Sequence, residues 1–562
     1  MLSQKNATLS IFLLGIFIII FAILSFDGYF FYDDCDYINY AHQVTIGKFQ
    51  ILGNIFPHRL GIILPLSALY KVFGFSDALT VALPLICMLA CLWALGRFFI
   101  RKNPILSVWV CIFFSLDFYT IFFANKVYPD VLLTVFVLGA VLVLFRRDNN
   151  KVLSSILFVL FNFLALISKE LIIYLLPFYV FIFVQDMSQK HHFEFWKWSI
   201  ILGFFVLLAY FGAYYYHTGD FFYRFRSIEN GRYEAVSSYF DKPFSVLLAR
   251  LTYEPIIMFI TGTTMIVFAG ALPSFWRVFR EIFDKTTPNP SLGRRGAFLP
   301  AVENYFTWLC VSILACFWFG STSFEVYNPI GLFPRMILFV VPFLAVLAGI
   351  NFLKISTNQK YQYFFGIIFL LSGVVVTQIV GLKTAFIYFL LSFWIIFYRI
   401  IFKIISGIIN KIIFSFFENK KLNLDLFLMF GFVLIMLIHP VFSMLKPTET
   451  NYKAQKMFLQ NNFSEGKNLN QNPKNEQIII FTDETTKNGE NIYFDFKKPT
   501  NIIFKHYNDT VSIKKSSKLL SKTSTRYYVL DNDLSVEKLQ NISPKWKLSA
   551  QKNNIKLYEI QL

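Results

Sequence analysis

The feature that most constrains this 562-residue chain is a succession of long apolar segments separated by short polar ones. A helix needs about 20 apolar residues to cross the hydrocarbon core of a bilayer, and segments of that kind recur as far as residue 445. Hydrophobic residues make up 56% of the chain and charged residues only 15%, whereas soluble domains carry about 25% charged residues. The composition therefore excludes an ordinary soluble enzyme or a disordered chain, and predicts an α-helical polytopic membrane protein.

Thirteen of the apolar segments predict transmembrane helices. They cover residues 9–26, 78–100, 104–124, 129–145, 152–168, 171–185, 198–216, 254–273, 304–320, 337–352, 362–380, 384–400 and 424–444. The first segment has no small-residue cleavage site and is followed by many further spans, so we predict a retained helix rather than a signal peptide. Residues 60–73 are apolar but short, which favours a helix lying against the membrane surface.

The composition changes sharply after the last apolar segment. Residues 446–562 are rich in Lys, Asn and Ser, and contain no spanning segment. Short β-type runs occur at 477–482, 501–505, 526–530 and 555–560, and a helix-compatible stretch lies at 511–522. A segment of this length is large enough to bury a core. We therefore predict a transmembrane domain over 1–445 and a small soluble α/β domain over 446–562.

Lys and Arg in the short loops predict the orientation of the chain in the membrane, because cytoplasmic loops carry an excess of them. Placing the N-terminus in the cytoplasm puts the more basic loops on the cytoplasmic side. Loops 27–77, 217–253 and 321–336 and the C-terminal domain are then extracytoplasmic. The net charge of +18 is spread along the chain without a dense basic arm, which favours interfacial anchors over nucleic-acid binding.

Four carboxylates follow the first apolar segment, namely Asp27, Asp33, Asp34 and Asp36. The structural interpretation of these residues is a solvated acidic loop. The functional one is a carboxylate held at the membrane surface as a general base or as a cation ligand, with aromatic neighbours that raise its pKa by desolvation. Asp34-Cys35-Asp36 also matches a short Asp-X-Asp metal motif. That match leaves a divalent cation open. No set of residues has the spacing of zinc ligands, so we predict no zinc site.

The pattern around these residues resembles GT-C superfamily glycosyltransferases, in the branch of lipid A aminoarabinose transferases and protein O-mannosyltransferases. Asp33-Asp34, followed by Tyr37 and Ala41, resembles the acidic signature of that family. Three further motifs follow in the family's order: His58-Arg59-Leu60-Gly61, Tyr128-Pro129-Asp130 and Phe333-Pro334-Arg335. The family's usual Asp-Glu is Asp-Asp here, and its Lys/His-Pro-Pro-Leu motif is His-Arg-Leu-Gly. These departures concern substrate identity more than the class of reaction.

The resemblance implies transfer of a hexose or pentose from a polyprenyl-phosphate donor to a hydroxyl of a lipid, glycan or protein, with inversion of the anomeric centre. An attacking hydroxyl must lose a proton to a nearby carboxylate, and a phosphate leaving group needs fixed cations. Asp33 is the predicted general base, Asp34 a supporting carboxylate and Asp130 the second acidic position. The predicted phosphate-binding residues are Arg335, Arg59, His58, Lys126, Arg224 and Arg226.

Each of these residues has a structural alternative. The basic ones fit interfacial anchors, Asp130 fits a solvated helix end, and Lys169-Glu170 fits an internal ion pair. The resemblance places the protein in a bacterial-type plasma (inner) membrane, and no Gly-rich loop suggests a nucleotide-sugar site.

Two other functions stay open on the sequence alone. A transporter or lipid flippase of envelope glycan precursors predicts charges buried in mid-span and paired broken helices. A non-catalytic assembly protein would use its C-terminal domain to bind a partner.

Overall fold

The computed structural model describes most of the chain. The described residues are 2–30, 32–51, 53–233, 238–283, 298–323, 325–413, 424–445, 452–463, 477–482, 487–498, 501–506, 525–531, 546–552 and 555–560. They form two compact units. The first comprises Met1–Ser25, Ile51–Ile62 and Val81–Lys446, and the second comprises Phe26–Gln50, Ile63–Thr80 and Pro447–Leu562. The domain boundary expected between residues 445 and 446 stays a prediction.

Helices make up most of the chain as far as residue 445. In chain order they are α1 (Gln4–Leu24), α2 (Asp33–Thr45), α3 (Leu60–Phe73), α4 (Asp77–Phe99), α5 (Pro104–Ser115), α6 (Phe118–Phe122), α7 (Pro129–Phe145), α8 (Lys151–Ser168), α9 (Leu176–Ser188) and α10 (Phe193–Thr218). They continue with α11 (Tyr223–Tyr233), α12 (Phe244–Thr252), α13 (Glu254–Thr261), α14 (Met265–Phe283), α15 (Phe298–Phe319), α16 (Val341–Phe352), α17 (Gln359–Ile379), α18 (Leu382–Ile413) and α19 (Leu424–Leu445). Short 3₁₀ helices cover Phe56–His58, Phe123–Asn125, Glu170–Leu175 and Pro334–Val340.

The structure confirms a multi-pass membrane protein. Among the described residues, ten helices are long and apolar enough to cross a bilayer, or up to twelve if each of two bent helix pairs counts as one span. The segment predicted at 104–124 is such a pair, bent by 64° between α5 and α6. The segment predicted at 129–145 forms α7, which has 17 residues. The predicted surface segment 60–73 is the helix α3.

The single span predicted at 254–273 is wrong. The helix α13 ends at Thr261, and α14 begins only at Met265. Thr263, between them, has a φ of 59°, a left-handed conformation that a β-branched residue seldom adopts and that no α-helix contains. The sequence carries a signal for this break, because Thr261-Gly262-Thr263-Thr264 interrupts the apolar run between Pro255 and Pro273.

The core of the first unit is centred on α16. Every residue of this helix is buried, as expected of a helix that is apolar on all sides. The helix packs against α5 and α14, and Trp109 and Phe113 of α5 form an aromatic cluster with Phe352 and Phe432. The 3₁₀ helix that leads into α16 begins at Pro334, whose missing N–H costs nothing at a helix start. Arg335 is therefore fixed at the entrance to the most buried helix.

The second unit contains a five-stranded sheet. Its strands are β1 (Gln477–Thr482), β2 (Ile502–His506), β3 (Thr525–Asp531), β4 (Trp546–Lys552) and β5 (Ile555–Ile560), with α20 (Tyr452–Phe463) and α21 (Glu490–Tyr493). The strand order is β2-β1-β3-β5-β4, in which β1 pairs in parallel with β2 and β3, while β5 pairs antiparallel with β3 and β4. The small α/β fold is confirmed.

Four of these strands match the β-type runs of the sequence, and β4 was missed. This strand lies at the edge of the sheet, and most of its described side chains are exposed, so it lacks the apolar run that marked the others. The helix-compatible stretch 511–522 lies outside the described residues.

The loop after α1 belongs to the second unit and is held there by a polar cluster. The Tyr29 and Tyr452 hydroxyls donate to the Asp77 carboxylate at 3.0 and 2.9 Å, and the Lys456 ammonium donates to it at 2.8 Å. Gly28 has a φ of 107°, and a Cβ there would collide with the Tyr452 side chain. Only glycine therefore fits this close approach.

Candidate functional site

The end of α8 is the centre of a buried polar site in the first unit. The helix ends at Ser168, and Lys169 adopts an extended conformation before the 3₁₀ helix that begins at Glu170. Leu166, Ser168, Lys169 and Glu170 all contact residues that are distant from them in the sequence. The break places a cation and a carboxylate side by side in the interior of the unit.

Lys169 pairs with Asp130, the second predicted acidic position. The Lys169 ammonium donates to Oδ1 of Asp130 at 2.5 Å and contacts the Met336 sulfur at 3.0 Å. Asp130 lies in the first turn of α7, where the helix dipole stabilises a negative charge. Both side chains are nearly fully buried, so their mutual pairing compensates for the loss of hydration. Lys169 and Glu170 do not form the internal pair considered from the sequence.

Glu170 pairs instead with Arg59. The distance between Arg59 Nη2 and Glu170 Oε1 is 3.3 Å. Gly61 makes this approach possible, because a Cβ at residue 61 would lie 2.1 Å from Ser168 Oγ and 2.7 Å from Ser168 Cα. The glycine of the His-Arg-Leu-Gly motif is therefore a packing requirement, which brings Arg59 against the end of α8.

Arg335 is a further cation near Lys169, besides Arg59. Arg59 and Arg335 both interact electrostatically with Lys169, and the Arg335 guanidinium lies over the Tyr128 ring, 4.6 Å from its centroid. A cation is favourable over an aromatic face. A guanidinium can bind two oxygens of a phosphate at once.

His58 and Arg224 extend the site through two tyrosines. His58 Nδ1 lies 3.1 Å from the Tyr214 hydroxyl, Arg224 donates to the Tyr210 hydroxyl at 2.7 Å, and the two hydroxyls are 3.4 Å apart. Arg224 also donates to the Leu166 carbonyl at 2.6 Å. Burial, and then the positive charges of Arg224 and Arg59, lower the pKa of His58 to about 4. The imidazole is therefore neutral at pH 7.

We refer to Arg59, Asp130, Lys169, Glu170, Arg224 and Arg335 as the cation cluster. Its four cations exceed its two carboxylates, so the cluster carries an excess of positive charge in a buried environment, where a charge acts more strongly than in water. Within the described part of the chain, the buried atoms that have no hydrogen-bond partner include His58 Nε2, Asp130 Oδ2 and Arg224 Nε, which lie at or beside the cluster. Buried polar atoms are normally paired, so these atoms are typical of a site that binds a polar ligand.

The other two predicted phosphate-binding residues differ in their surroundings. Lys126 is buried, and its ammonium lies 5.6 Å from the centroid of the Phe122 ring. Arg226 is exposed on α11 and pairs with Asp220 at 3.1 Å. The structure therefore brings together His58, Arg59, Asp130, Arg224 and Arg335, and it leaves Arg226 at the surface.

The acidic signature forms the start of α2 in the second unit. Asp34 is buried and accepts hydrogen bonds from the backbone N–H groups of Phe30, Tyr32 and Cys35, at 2.6, 3.0 and 3.0 Å. Asp33, the first residue of α2, is half-buried. The bonds to Asp34 fix the turn before α2 and hence the position of Asp33.

Asp36 also belongs to this acidic group. Burial, and then the charges of Asp33 and Asp34, raise the pKa of Asp36 to about 6. Asp36 therefore changes its charge close to neutral pH, unlike an ordinary surface carboxylate.

The Asp-X-Asp motif does not fit a divalent-cation site. Asp34 directs its carboxylate to three backbone N–H groups, and residues two positions apart on a helix do not face each other. Among the residues that the structure describes, no group of three His, Cys, Asp or Glu side chains has the arrangement to hold a metal ion. We derive no step through a divalent cation.

The sequence did not single out Lys169 and Glu170 as members of the site. One signal for them was available, namely a cation and a carboxylate between two apolar helices, where charges are costly unless they are used or paired. Their partners could not be predicted, because Asp130 precedes Lys169 by 39 residues and Arg59 precedes Glu170 by 111.

The chain has an ArnT-like fold, as the resemblance predicted. ArnT from Cupriavidus metallidurans in the apo state superposes with a TM-score of 0.54 at 12% identity, over 99% of this chain and 98% of that chain. The structure of the same protein bound to undecaprenyl phosphate gives a TM-score of 0.52 at 12% identity, over 97% of each chain. No protein-family model and no curated protein matches the sequence.

Proposed function

We propose that this protein is an integral-membrane glycosyltransferase that moves a sugar from a polyprenyl-phosphate donor to a hydroxyl of a lipid, glycan or protein acceptor. In this proposal the reaction takes place on the extracytoplasmic face of a bacterial-type plasma membrane. The observation that carries the proposal is the cation cluster, which has the charge and burial that a lipid phosphate requires. The shared fold supports it, because ArnT has been crystallised with undecaprenyl phosphate and is a lipid A aminoarabinose transferase.

The proposed role of the cluster is to hold the phosphate of the donor and to stabilise its growing charge. As the bond between the anomeric carbon and the phosphate oxygen breaks, the electron pair stays on that oxygen. Arg335 binds two phosphate oxygens, and Lys169 and Arg59 add fixed positive charge. Asp130 and Glu170 keep these cations in place, because each accepts a hydrogen bond from one of them. His58, which is neutral at pH 7, is a hydrogen-bonding group rather than a further cation.

Asp33 is the proposed general base. The acceptor hydroxyl attacks the anomeric carbon, and its proton passes to the Asp33 carboxylate. A single displacement of this kind inverts the anomeric centre. The support for Asp33 is its position in the acidic signature and the rigid turn that Asp34 builds before it. Asp34 is a positioning residue, because its oxygens are bound to backbone N–H groups.

The direct test is an assay of sugar transfer by the purified protein in lipid nanodiscs. The donors are undecaprenyl-phosphate sugars in which the sugar is radiolabelled. We expect Asp33→Asn, Arg335→Gln and Lys169→Gln each to lower kcat/KM at least 100-fold, which is typical of the loss of a general base or of one charge-stabilising donor. Lys360→Gln removes an exposed cation at the start of α17 and is the matched control. Wild-type turnover by Asp33→Asn would refute its role as the base.

A comparison of intact cells identifies the donor and the acceptor. In a strain that lacks this protein, the undecaprenyl-phosphate sugar that it consumes should accumulate, and mass spectrometry of the lipid extract names that sugar. The glycan that disappears from the lipid, polysaccharide or protein fraction names the acceptor class. If no polyprenyl-phosphate sugar changes in amount, the proposed donor class is wrong.

A transporter or lipid flippase is the second candidate, and one observation favours it. Two helix pairs, α5 with α6 and α12 with α13, are bent by 64° and 56°, and broken helices are common in transporters. The charges of the cation cluster, however, lie at helix ends and at the break after α8. A flippase would move labelled undecaprenyl-phosphate sugar across proteoliposomes without forming a glycosylated product, so the two functions separate in one assay.

A further inference from the structure

A cavity of about 590 Å³ lies between α1 and α4 in the first unit, away from the cation cluster. It extends along α1 from Thr8 to Ile19, and along the C-terminal part of α4. Its walls are almost entirely apolar, and they include Trp93 and the glycines at positions 15 and 96. The volume falls within the range of small-molecule sites in proteins.

The glycines explain why the cavity exists. A Cβ on Gly96 would lie 2.8 Å from Ile11 and 3.3 Å from the Cys111 sulfur, so α1 and α4 approach closely at this point. Gly15 has only the ends of two leucine side chains within 4 Å, at 3.7 and 3.8 Å. The space beside Gly15 therefore stays open, and a larger side chain there would fill it.

The cavity ends at a group of cations. Arg97 lines it, and Arg101 follows in the next turn of the chain. The Arg146 guanidinium lies over the Phe98 ring, 4.7 Å from its centroid, and interacts electrostatically with both Arg97 and Arg101. All three arginines are exposed. Among the residues the structure describes, no carboxylate pairs with them, so their charges are available to an anion.

The length of the cavity matches one leaflet of a bilayer. Residues 8–19 of a helix rise by about 16 Å, and half the hydrocarbon core of a membrane is about 15 Å thick. The basic end is also the end that the sequence predicts to be cytoplasmic, where the membrane surface is rich in anionic lipids. An apolar cavity of this length with cations at one end is complementary to a phospholipid.

We propose that the cavity between α1 and α4 binds one anionic membrane phospholipid. An acyl chain occupies the apolar cavity beside Gly15 and Trp93, and the phosphate of the headgroup contacts Arg97, Arg101 and Arg146. This site is independent of the proposed transferase reaction, because it shares no residue with the cation cluster.

The test is native mass spectrometry of the purified full-length protein, titrated with phosphatidylglycerol or with phosphatidylcholine. We expect the wild type to bind phosphatidylglycerol more tightly. Each headgroup cation contributes about fivefold in affinity, so the double variant Arg97→Gln, Arg101→Gln should bind phosphatidylglycerol roughly 25-fold more weakly. Gly15→Leu fills the cavity and should abolish the binding. Lys197→Gln removes an exposed cation at a distance from the cavity and should bind as the wild type does.

Three results would overturn the proposal. The first is equal binding of the two phospholipids, which would show ordinary solvation of the protein by lipid. The second is unchanged phosphatidylglycerol binding in the Arg97→Gln, Arg101→Gln variant, which removes only exposed charges and is expected to fold normally. The third is tighter binding of undecaprenyl phosphate than of phosphatidylglycerol, in the wild type but not in Gly15→Leu.

Discussion

Lys169 shows how a single residue of this protein depends on distant parts of the chain. A lysine buried among apolar helices is strongly unfavourable unless a carboxylate balances its charge. Asp130 supplies that carboxylate from the first turn of α7. The pair holds Lys169 in its charged form, and Oδ2 of Asp130 has no partner among the described residues. The site therefore combines a fixed cation with an acceptor atom that is available to a ligand.

Breaking the Asp130–Lys169 pair should cost stability, and neutralising both partners should restore it. Lys169→Gln or Asp130→Asn alone leaves an uncompensated buried charge, with an expected loss of about 3–5 kcal/mol. The double variant removes both charges and should recover most of that loss, while transferase activity stays low. Unfolding of the three variants in detergent micelles measures this coupling. A double variant as unstable as the sum of the single ones would show that the pair is not coupled.

Asp36 should make the stability of the protein depend on pH. Its pKa is raised from the ordinary value of 3.8 to about 6 by burial and by Asp33 and Asp34, so the folded protein binds this proton more tightly than the unfolded chain does. The stabilisation is complete below pH 3.8 and is lost as the pH rises through 6.

The Asp36→Asn variant tests this pH dependence. The variant should raise Tm at pH 7.5 relative to the wild type and raise it less at pH 4.5. Asp241→Asn, at an exposed position, is the matched control. An equal change of Tm at the two pH values for Asp36→Asn would contradict the raised pKa.

At the scale of elements, the end of α8 organises the site because each residue there meets a different partner. The contact of Gly61 with Ser168 fixes the start of α3, and the break after Ser168 turns Lys169 towards α7. The 3₁₀ helix Pro334–Val340 packs against α7 and carries Arg335 into the same region. The elements therefore bring charges together from sequence positions between 59 and 335.

Gly61→Ala should separate α3 from α8. The new Cβ would lie 2.1 Å from Ser168 Oγ and 2.7 Å from Ser168 Cα, and overpacking of this kind costs about 1–3 kcal/mol. We expect a lower Tm and weaker binding of the donor by the protein, which raises KM. The reason is that Arg59 moves with the segment before α3. Gly203→Ala is the matched control, since nothing lies within 4 Å of Gly203. If Gly61→Ala and Gly203→Ala have the same Tm and KM, the contact with Ser168 does not position Arg59.

At the scale of the whole molecule, the proposed reaction requires the C-terminal domain and the loop before α2 to face away from the cytoplasm. The basis for this orientation is the bias of Lys and Arg towards one set of loops. The six native cysteines are free, and all are buried except the half-buried Cys316. Single new cysteines at exposed positions therefore give a low background for labelling.

Labelling with a membrane-impermeant maleimide tests the orientation. A cysteine at the exposed position of β4, Lys547→Cys, should react in intact spheroplasts. Lys360→Cys, in a loop predicted to be cytoplasmic, should react only after the membrane is permeabilised. The reverse pattern would invert the predicted topology and remove the proposed reaction from the extracytoplasmic face.

Individual elements show how much of the structure could be predicted from the sequence. The strands at 477–482 and 555–560 were predicted from their apolar runs, whereas the edge strand β4 had no such run. The span expected at 254–273 failed because the chain adopts a left-handed conformation at Thr263, within the less apolar stretch 261–264. In the site, Arg335 and Asp130 were predicted from motifs, while Lys169 was recognised only when the structure showed its partner.

The sequence by itself determined that most of this chain forms transmembrane helices and that a small α/β unit follows, because lipid offers no hydrogen bonds to an open backbone. It also determined that acidic and basic residues stand at helix ends. Only the tertiary structure decided which of them meet. Asp130, Lys169, Glu170 and Arg59 are paired by the packing of α7, α8 and the turn before α3, and the strength of an ion pair depends on distance and burial, which no linear pattern specifies.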